Sequence, residues 1–239
     1  AFRYDSRRWF RWWCVGVLAA VIAQGALGGA RVVLDQRTFA MIHGCTGPLF
    51  FAIATATAVF SSRWWIERVG QGSHAEMSVA QLRGRRRFAW LATMLVAASY
   101  CQLIMGAQLR HVTAAISHSA FMGFVHTHLL LAAVVALLAL VLLGFSLFSP
   151  SLVARVRRPA GWLGLLVALQ IGLGIATWIV NYALPWSEVN RSLAAYTISA
   201  KGYWESMIVT AHMATGSLII AVATVAALRA WRSSWGRLE

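Results

Sequence analysis

Charge is what this sequence has least of. Only 12% of its 239 residues are charged, and 7 of these are acidic. An ordinary soluble domain carries roughly twice that charged fraction, so a water-facing globular surface is excluded for most of the chain. Strict alternation of apolar and polar residues is missing as well, which argues against a β-barrel. Cysteine is scarce. Cys14, Cys45 and Cys101 lie in or beside apolar runs, and none has a CxxC or metal-type spacing. A disulfide framework is therefore not indicated, and the thiols read as small packing groups. No small-residue cleavage site follows "AFRYDSRRWFRWW", so the start does not read as a signal peptide. No acidic residue lies at mid-membrane depth and no pair of interrupted apolar runs is present. A transporter or channel, the third function class considered, would need such features.

What the chain has is apolar length. Hydrophobic residues make up 59% of it, and crossing a bilayer takes about 20 of them in a row. Six runs qualify, at 12–34, 39–60, 88–109, 121–147, 161–184 and 206–230. The fold class expected is all-α, a polytopic membrane bundle of six transmembrane helices. The basic stretches 61–87 and 148–160 read as loops, because so many cations do not belong in a membrane core. Three parts follow: a helix pair over 1–60, a basic cytoplasmic loop over 61–87, and a four-helix bundle over 88–239.

The net charge of +14 does not point to nucleic acid, because the basic residues sit at the ends of apolar runs. All but five of the 21 Lys and Arg lie in the N-terminal segment, the two basic loops and the C-terminal tail; the five are Arg31, Arg37, Arg110, Arg191 and Lys201. Short basic loops stay cytoplasmic, so both termini are expected inside a cell membrane. Trp12, Trp13, Trp64, Trp65, Trp186 and Trp204 fall near run ends, where amphipathic rings meet the headgroups.

The runs repeat a pattern. Odd-numbered helices carry "QGALGGARVVL", "QLIMGAQLRHV" and "QIGLGIATWIV", each with Gln followed four residues later by Gly: Gln24/Gly28, Gln102/Gly106 and Gln170/Gly174. That spacing puts both residues on one helix face. Even-numbered helices carry "HGCTGPLFFA" at His43 and "HMATGSLIIA" at His212, with "HLLLAAVVAL" at His128 a weaker third copy. The chain thus reads as three copies of one helix pair. With the termini inside, helices 2, 4 and 6 start at the outer face, and His43, His128 and His212 lie four to seven residues into them. At 1.5 Å per residue that is roughly 6–10 Å below the outer end.

An imidazole at that depth must pair its nitrogens or coordinate something. A lone one would more simply hydrogen-bond a Thr, Ser or Gln on the next helix. Three at one level, on repeat-related helices, suit ligands converging on one or two planar cofactors. Zinc wants three or four ligands, often with Cys or carboxylate, and no acidic residue lies beside these histidines within the runs. Haem iron accepts imidazoles on the two faces of a flat ring. Gly28, Gly29, Gly47, Gly106, Gly174 and Gly216 supply small positions where a macrocycle could press on backbone, or where helices simply pack closely. Arg31, Arg37 and Arg110 at the outer ends could clamp propionates, or form a solvated rim. "VHTHLL" offers both His126 and His128, about 200° apart on a helix, so one faces elsewhere; the repeat favours His128. His111 and His118 read as outer-loop residues and His74 as an inner-loop one, all solvated.

"QGALGGARV", "MIHGCTGPLFF", "ALQIGLGIATW" and "AHMATGSL" together resemble the haem A synthase family, over nearly the whole chain. The resemblance implies an oxidoreductase of cytochrome oxidase assembly that turns a methyl group of haem O into the formyl group of haem A. It implies a haem b cofactor held by His128 and His212 as iron ligands, haem O as substrate, and His43 as the axial-type, catalytic histidine of the substrate half. Haem contacts are then expected from His126, Arg31, Arg110, Gly28, Gly174 and Gly216. The partners expected are the lipid bilayer and a haem O synthase or a terminal oxidase assembly, without nucleic acid. The match starts at the family's third helix. The family's first pair, with a further histidine and an acidic residue, is absent from these 239 residues; Asp35, at an outer turn, is no clear replacement. The expectation is that this pair lies upstream of Ala1. The alternatives are a pair supplied by a separate polypeptide, or a divergent haem binder. The other function class carried forward is a non-catalytic b-type haem electron-transfer or anchor subunit.

Overall fold

The computed structural model describes residues 5–70, 78–112, 115–149, 152, 154–182 and 202–234. Trp186, Arg191, Lys201 and His74 lie outside the described residues. The described chain is all-helical: α1 (Arg8–Val33), α2 (Arg37–Ser61), α3 (Arg63–Gly70), α4 (Val79–Arg110), α5 (His118–Phe148), α6 (Ala154–Tyr182) and α7 (Tyr203–Ser233). All but α3 are long and apolar enough to cross a membrane. In lipid each backbone polar group must find its partner within its own helix, which makes uninterrupted helices the only spanning form open to such runs. Six crossings return the chain to the side on which it began, so both described ends lie at one face.

Each of the six long helices starts earlier than hydropathy suggests, α4 and α6 by the most. Ser78 opens α4 with a capping box: its hydroxyl accepts from the Gln81 N–H at 3.2 Å, and the Gln81 side chain accepts from the Ser78 N–H at 3.2 Å. The S-x-x-Q pattern that signals such a start lies inside the stretch expected to be loop. Ser117 caps α5 in the same manner, accepting from the Ala120 N–H at 3.2 Å. Residues 63–70 are also helical, and α6 begins at Ala154 and runs through Pro159. Both basic stretches therefore hold helical turns. Pro159 lies past the first turn, so it removes the backbone hydrogen bond to the residue 155 carbonyl and crowds that carbonyl.

Helices α4 to α7 form a four-helix bundle in which α4 packs on α5 and α7, and α6 packs on α5 and α7. That leaves α5 and α7 on one diagonal and α4 and α6 on the other. The tight core fills the half of the bundle nearer the chain ends. Phe88, Ala89, Ala92 and Leu95 of α4 meet Ala139 and Leu142 of α5, Val156, Ala160 and Leu163 of α6, and Ile219, Ala223, Ala226 and Ala230 of α7. Small residues let backbones approach where lipid supplies no hydrophobic drive to associate. The α1–α2 pair joins this bundle through α2, which packs on α7 and α4, whereas the main partner of α1 is α2.

The same face is tied by amphipathic side chains. The Trp13 indole donates to Thr57 Oγ1 at 2.8 Å, the Trp231 indole to Thr93 Oγ1 at 3.0 Å, and Arg7 to the Phe60 carbonyl at 2.9 Å. Arg7 also pairs with Asp5 at 2.6 Å. Its hydrogen bonds hold the Asp5 carboxyl down at about 2.

Candidate functional site

Beyond the closed half of the bundle lies a level at which side chains are only partly covered. Seven residues separate His128 from Val135 and His212 from Ile219, where the core closes. On the outer side a second apolar layer, Phe121 and Val125 with Leu109, Val112, Ile116, Met122 and Trp178 around them, closes over part of it. Gln102, Gly106, His128, Gln170, Gly174 and His212 lie between the two layers. His128 and His212 come from the diagonal helices α5 and α7. They sit deeper than their expected depth because α5 and α7 start earlier. Counted from His118 and Tyr203, they lie about 15 Å and about 14 Å along their helices.

The repeated pattern has one structural meaning in all three pairs: the glycine of the odd-numbered run makes room for the histidine ring of its partner. A Cβ built on Gly28 would lie 3.1 Å from His43 Cε1, one on Gly106 would lie 3.1 Å from His128 Cε1, and one on Gly174 would lie 3.2 Å from His212 Cε1. In two pairs the glycine of the histidine helix makes room for the glutamine in return. A Cβ on Gly47 would lie 3.2 Å from Gln24 Nε2, and one on Gly216 would lie 3.3 Å from Gln170 Nε2. These glycines serve the imidazoles and carboxamides directly. Gly29 differs: a Cβ there would meet nothing within 4 Å.

The simpler expectation for an intramembrane imidazole, a hydrogen bond to Thr, Ser or Gln on the next helix, is met by glutamine at two of the three sites. Gln102 Nε2 lies 3.2 Å from His128 Nε2, and Gln170 Nε2 lies 3.4 Å from His212 Nε2. The first pair of helices departs from this. Gln24 Nε2 donates to the His43 carbonyl at 3.2 Å, and Gln24 Oε1 accepts from the Thr46 hydroxyl at 2.6 Å. The His43 ring is thus left out of the glutamine network. Nδ1 of His43, His128 and His212, and Oε1 of Gln102 and Gln170, are buried without a protein partner.

His43 stands on α2, in the α1–α2 pair, whereas His128 and His212 stand on α5 and α7 of the four-helix bundle. By helix the histidines fall as two plus one. His126 is exposed, one side of α5 away from the partly buried His128. Among the described residues no three His, Cys, Asp or Glu side chains converge as a tetrahedral zinc site would require.

A basic rim lies at the far end. Arg31 closes α1, Arg37 opens α2 and Arg110 closes α4. Arg37 donates to the Val112 carbonyl at 3.3 Å, and Arg110 donates to Met213 Sδ, beside His212. His111, expected in solvent, caps α4 and is partly buried in this rim. Burial pushes its ionisation down, and Arg110, Arg31 and Arg37 push it the same way. His118 is exposed, as expected. Asp35 turns the chain between α1 and α2 at φ 45°, a left-handed conformation that aspartate tolerates better than most residues. Arg37→Gln removes one of the cations acting on His111 and is expected to raise its titration midpoint, read by NMR of the ring protons. Protonating His111 is disfavoured in the folded protein, so stability falls as pH drops below the ordinary histidine value, and the variant should soften that loss. A midpoint unmoved by the substitution would separate Arg37 from His111.

Set against known proteins, the chain matches no family model, no curated protein and no solved structure.

Proposed function

We propose that the protein is a membrane haem protein in which His128 and His212 ligate a b-type haem and His43 engages haem O, whose methyl group is oxidised to the formyl group of haem A. The observation that carries this reading is the placement of His128 and His212 on diagonal helices, in one level between two apolar layers. The donor set suits the group. Two imidazoles carried by different helices would serve as ligands to haem iron. At both rings Nδ1 is buried without a protein partner and Nε2 faces only a carboxamide, so neither imidazole is fully committed to the protein and each would be able to ligate.

Bound haem supplies the redox chemistry of iron, and the protein supplies ligands, orientation and burial. In that division His128 and His212 would hold the resident group, and the Val135 and Ile219 layer below them would exclude water. Arg110, next to Met213 at the same mouth, would take a carboxylate of that group. Arg31 follows Gly28 by three residues on α1, on the face that meets His43, and would do the same for the substrate. The resemblance to haem A synthase supports the oxidation chemistry and the assignment of His43 to substrate. It also supports a cell-membrane setting with both termini inside and with a haem O synthase or a terminal oxidase assembly as partner.

One observation favours a second reading. His43 faces Gly28 and belongs to no group of three His, Cys, Asp or Glu side chains among the described residues, which is the state expected of a non-catalytic b-type electron-transfer or anchor subunit. The reduced-pyridine spectrum of the purified protein tests the common core of both: a b-type band is expected, and its absence overturns the proposal. Chromatographic detection of haem A formed from haem O separates the two.

A further inference from the structure

Gln102 and Gln170 lie outside everything the proposed function uses, yet each is aimed at one of its two resident ligands. A neutral imidazole carries one proton, and which nitrogen holds it is set by the partner of the other. At both sites the carboxamide nitrogen faces Nε2, at 3.2 Å for His128 and 3.4 Å for His212. An amide N–H can only donate, so Nε2 must present its lone pair and the proton must sit on Nδ1. Nδ1 meanwhile finds no protein partner at either ring, so no other protein group competes to set the tautomer and the amide alone sets it. The glycine opposite each ring, Gly106 or Gly174, leaves just enough room for Cε1 and Nδ1 to lie against the neighbouring helix.

Resting on the haem reading, we propose that Gln102 and Gln170 are positioning residues that hold His128 and His212 in the tautomer with a free lone pair on Nε2 before iron arrives. The amide acts as a placeholder: it keeps Nε2 unprotonated and the ring oriented, then yields that nitrogen to the metal. The His43 site lacks the device. Gln24 is committed to the Thr46 hydroxyl and the His43 backbone carbonyl, so the ring of His43 is neither held nor assigned a tautomer by it. Two preset imidazoles suit a group that stays. One unheld imidazole suits a group that must enter and leave.

Side-chain 15N NMR of histidine in the ligand-free, detergent-solubilised protein reads the tautomers directly, without any haem. His128 and His212 are expected as the Nδ1–H form. Gln102→Glu replaces the donor with an acceptor and should move His128 to the Nε2–H form, while Gln102→Leu, which adds no charge, should leave it a mixture. Haemin titration of the same variants should show weaker retention by about 10- to 100-fold, the usual effect of removing a partner that orients a metal ligand. Gln24→Leu should leave retention at the His128–His212 site unchanged. An Nε2–H form at His128 in the unsubstituted protein, or wild-type haemin retention in both Gln102→Leu and Gln170→Leu, overturns the proposal. The haem reading fails separately, if the unsubstituted protein retains no haemin at all; the NMR result still decides the tautomer.

Discussion

His128→Ala and His212→Ala are each expected to abolish b-type haem retention completely while leaving the bundle folded. Each ring comes from a different helix of one diagonal, so neither can take over the other's side of a planar group. His126 cannot substitute for His128, because it is exposed on another face of α5. The fold should survive because the closed core begins seven residues further on, at Val135 and Ile219, and the histidine level contributes little tight packing of its own. The measurement is haem per protein by reduced-pyridine absorbance, with helix content followed by circular dichroism. His43→Ala, measured alongside, should keep the b-type signal, because the ring of His43 belongs to the α1–α2 pair. Full b-type haem in His212→Ala would refute the ligand assignment.

The second large effect is expected far from the histidines. Ala223→Leu should destabilise the bundle by about 1–3 kcal/mol, the usual cost of forcing extra methylenes into a packed site. Ala223 is fully buried, in line with Ile219, Ala226 and Ala230 along α7, the helix that packs on both α6 and α4. Lipid is as apolar as this interior, so moving a side chain between them yields little, and what holds the helices together is close fit. A larger side chain removes that fit directly. Leu218→Ala on the same helix is the comparison: Leu218 is exposed, in a lipid-facing position, and its loss should be nearly neutral. Thermal unfolding in detergent compares the two, and equal midpoints would show that this seam does not hold the bundle.

The six membrane-crossing helices were legible in the sequence because their cause is local. A long apolar run in lipid has to satisfy its backbone within itself, and nothing distant alters that. The early starts of α4 and α5 were missed for a related reason: hydropathy fades before the helix does, whereas the capping residues Ser78, Gln81 and Ser117 were there to be read. The Gln–Gly spacing was equally visible. Its purpose was not, since periodicity places a residue on a face of its own helix without saying which neighbour that face meets.

By itself the sequence determined six apolar helices, three repeats and histidines near one level. Only the tertiary structure decided that His128 and His212 stand on one diagonal of a four-helix bundle while His43 stays with the α1–α2 pair, that His126 is exposed, and that His111 is partly covered among arginines. The rotation of each helix about its axis is set by which small residues let two backbones approach. That choice depends on neighbours far away in the chain, and no local pattern encodes it.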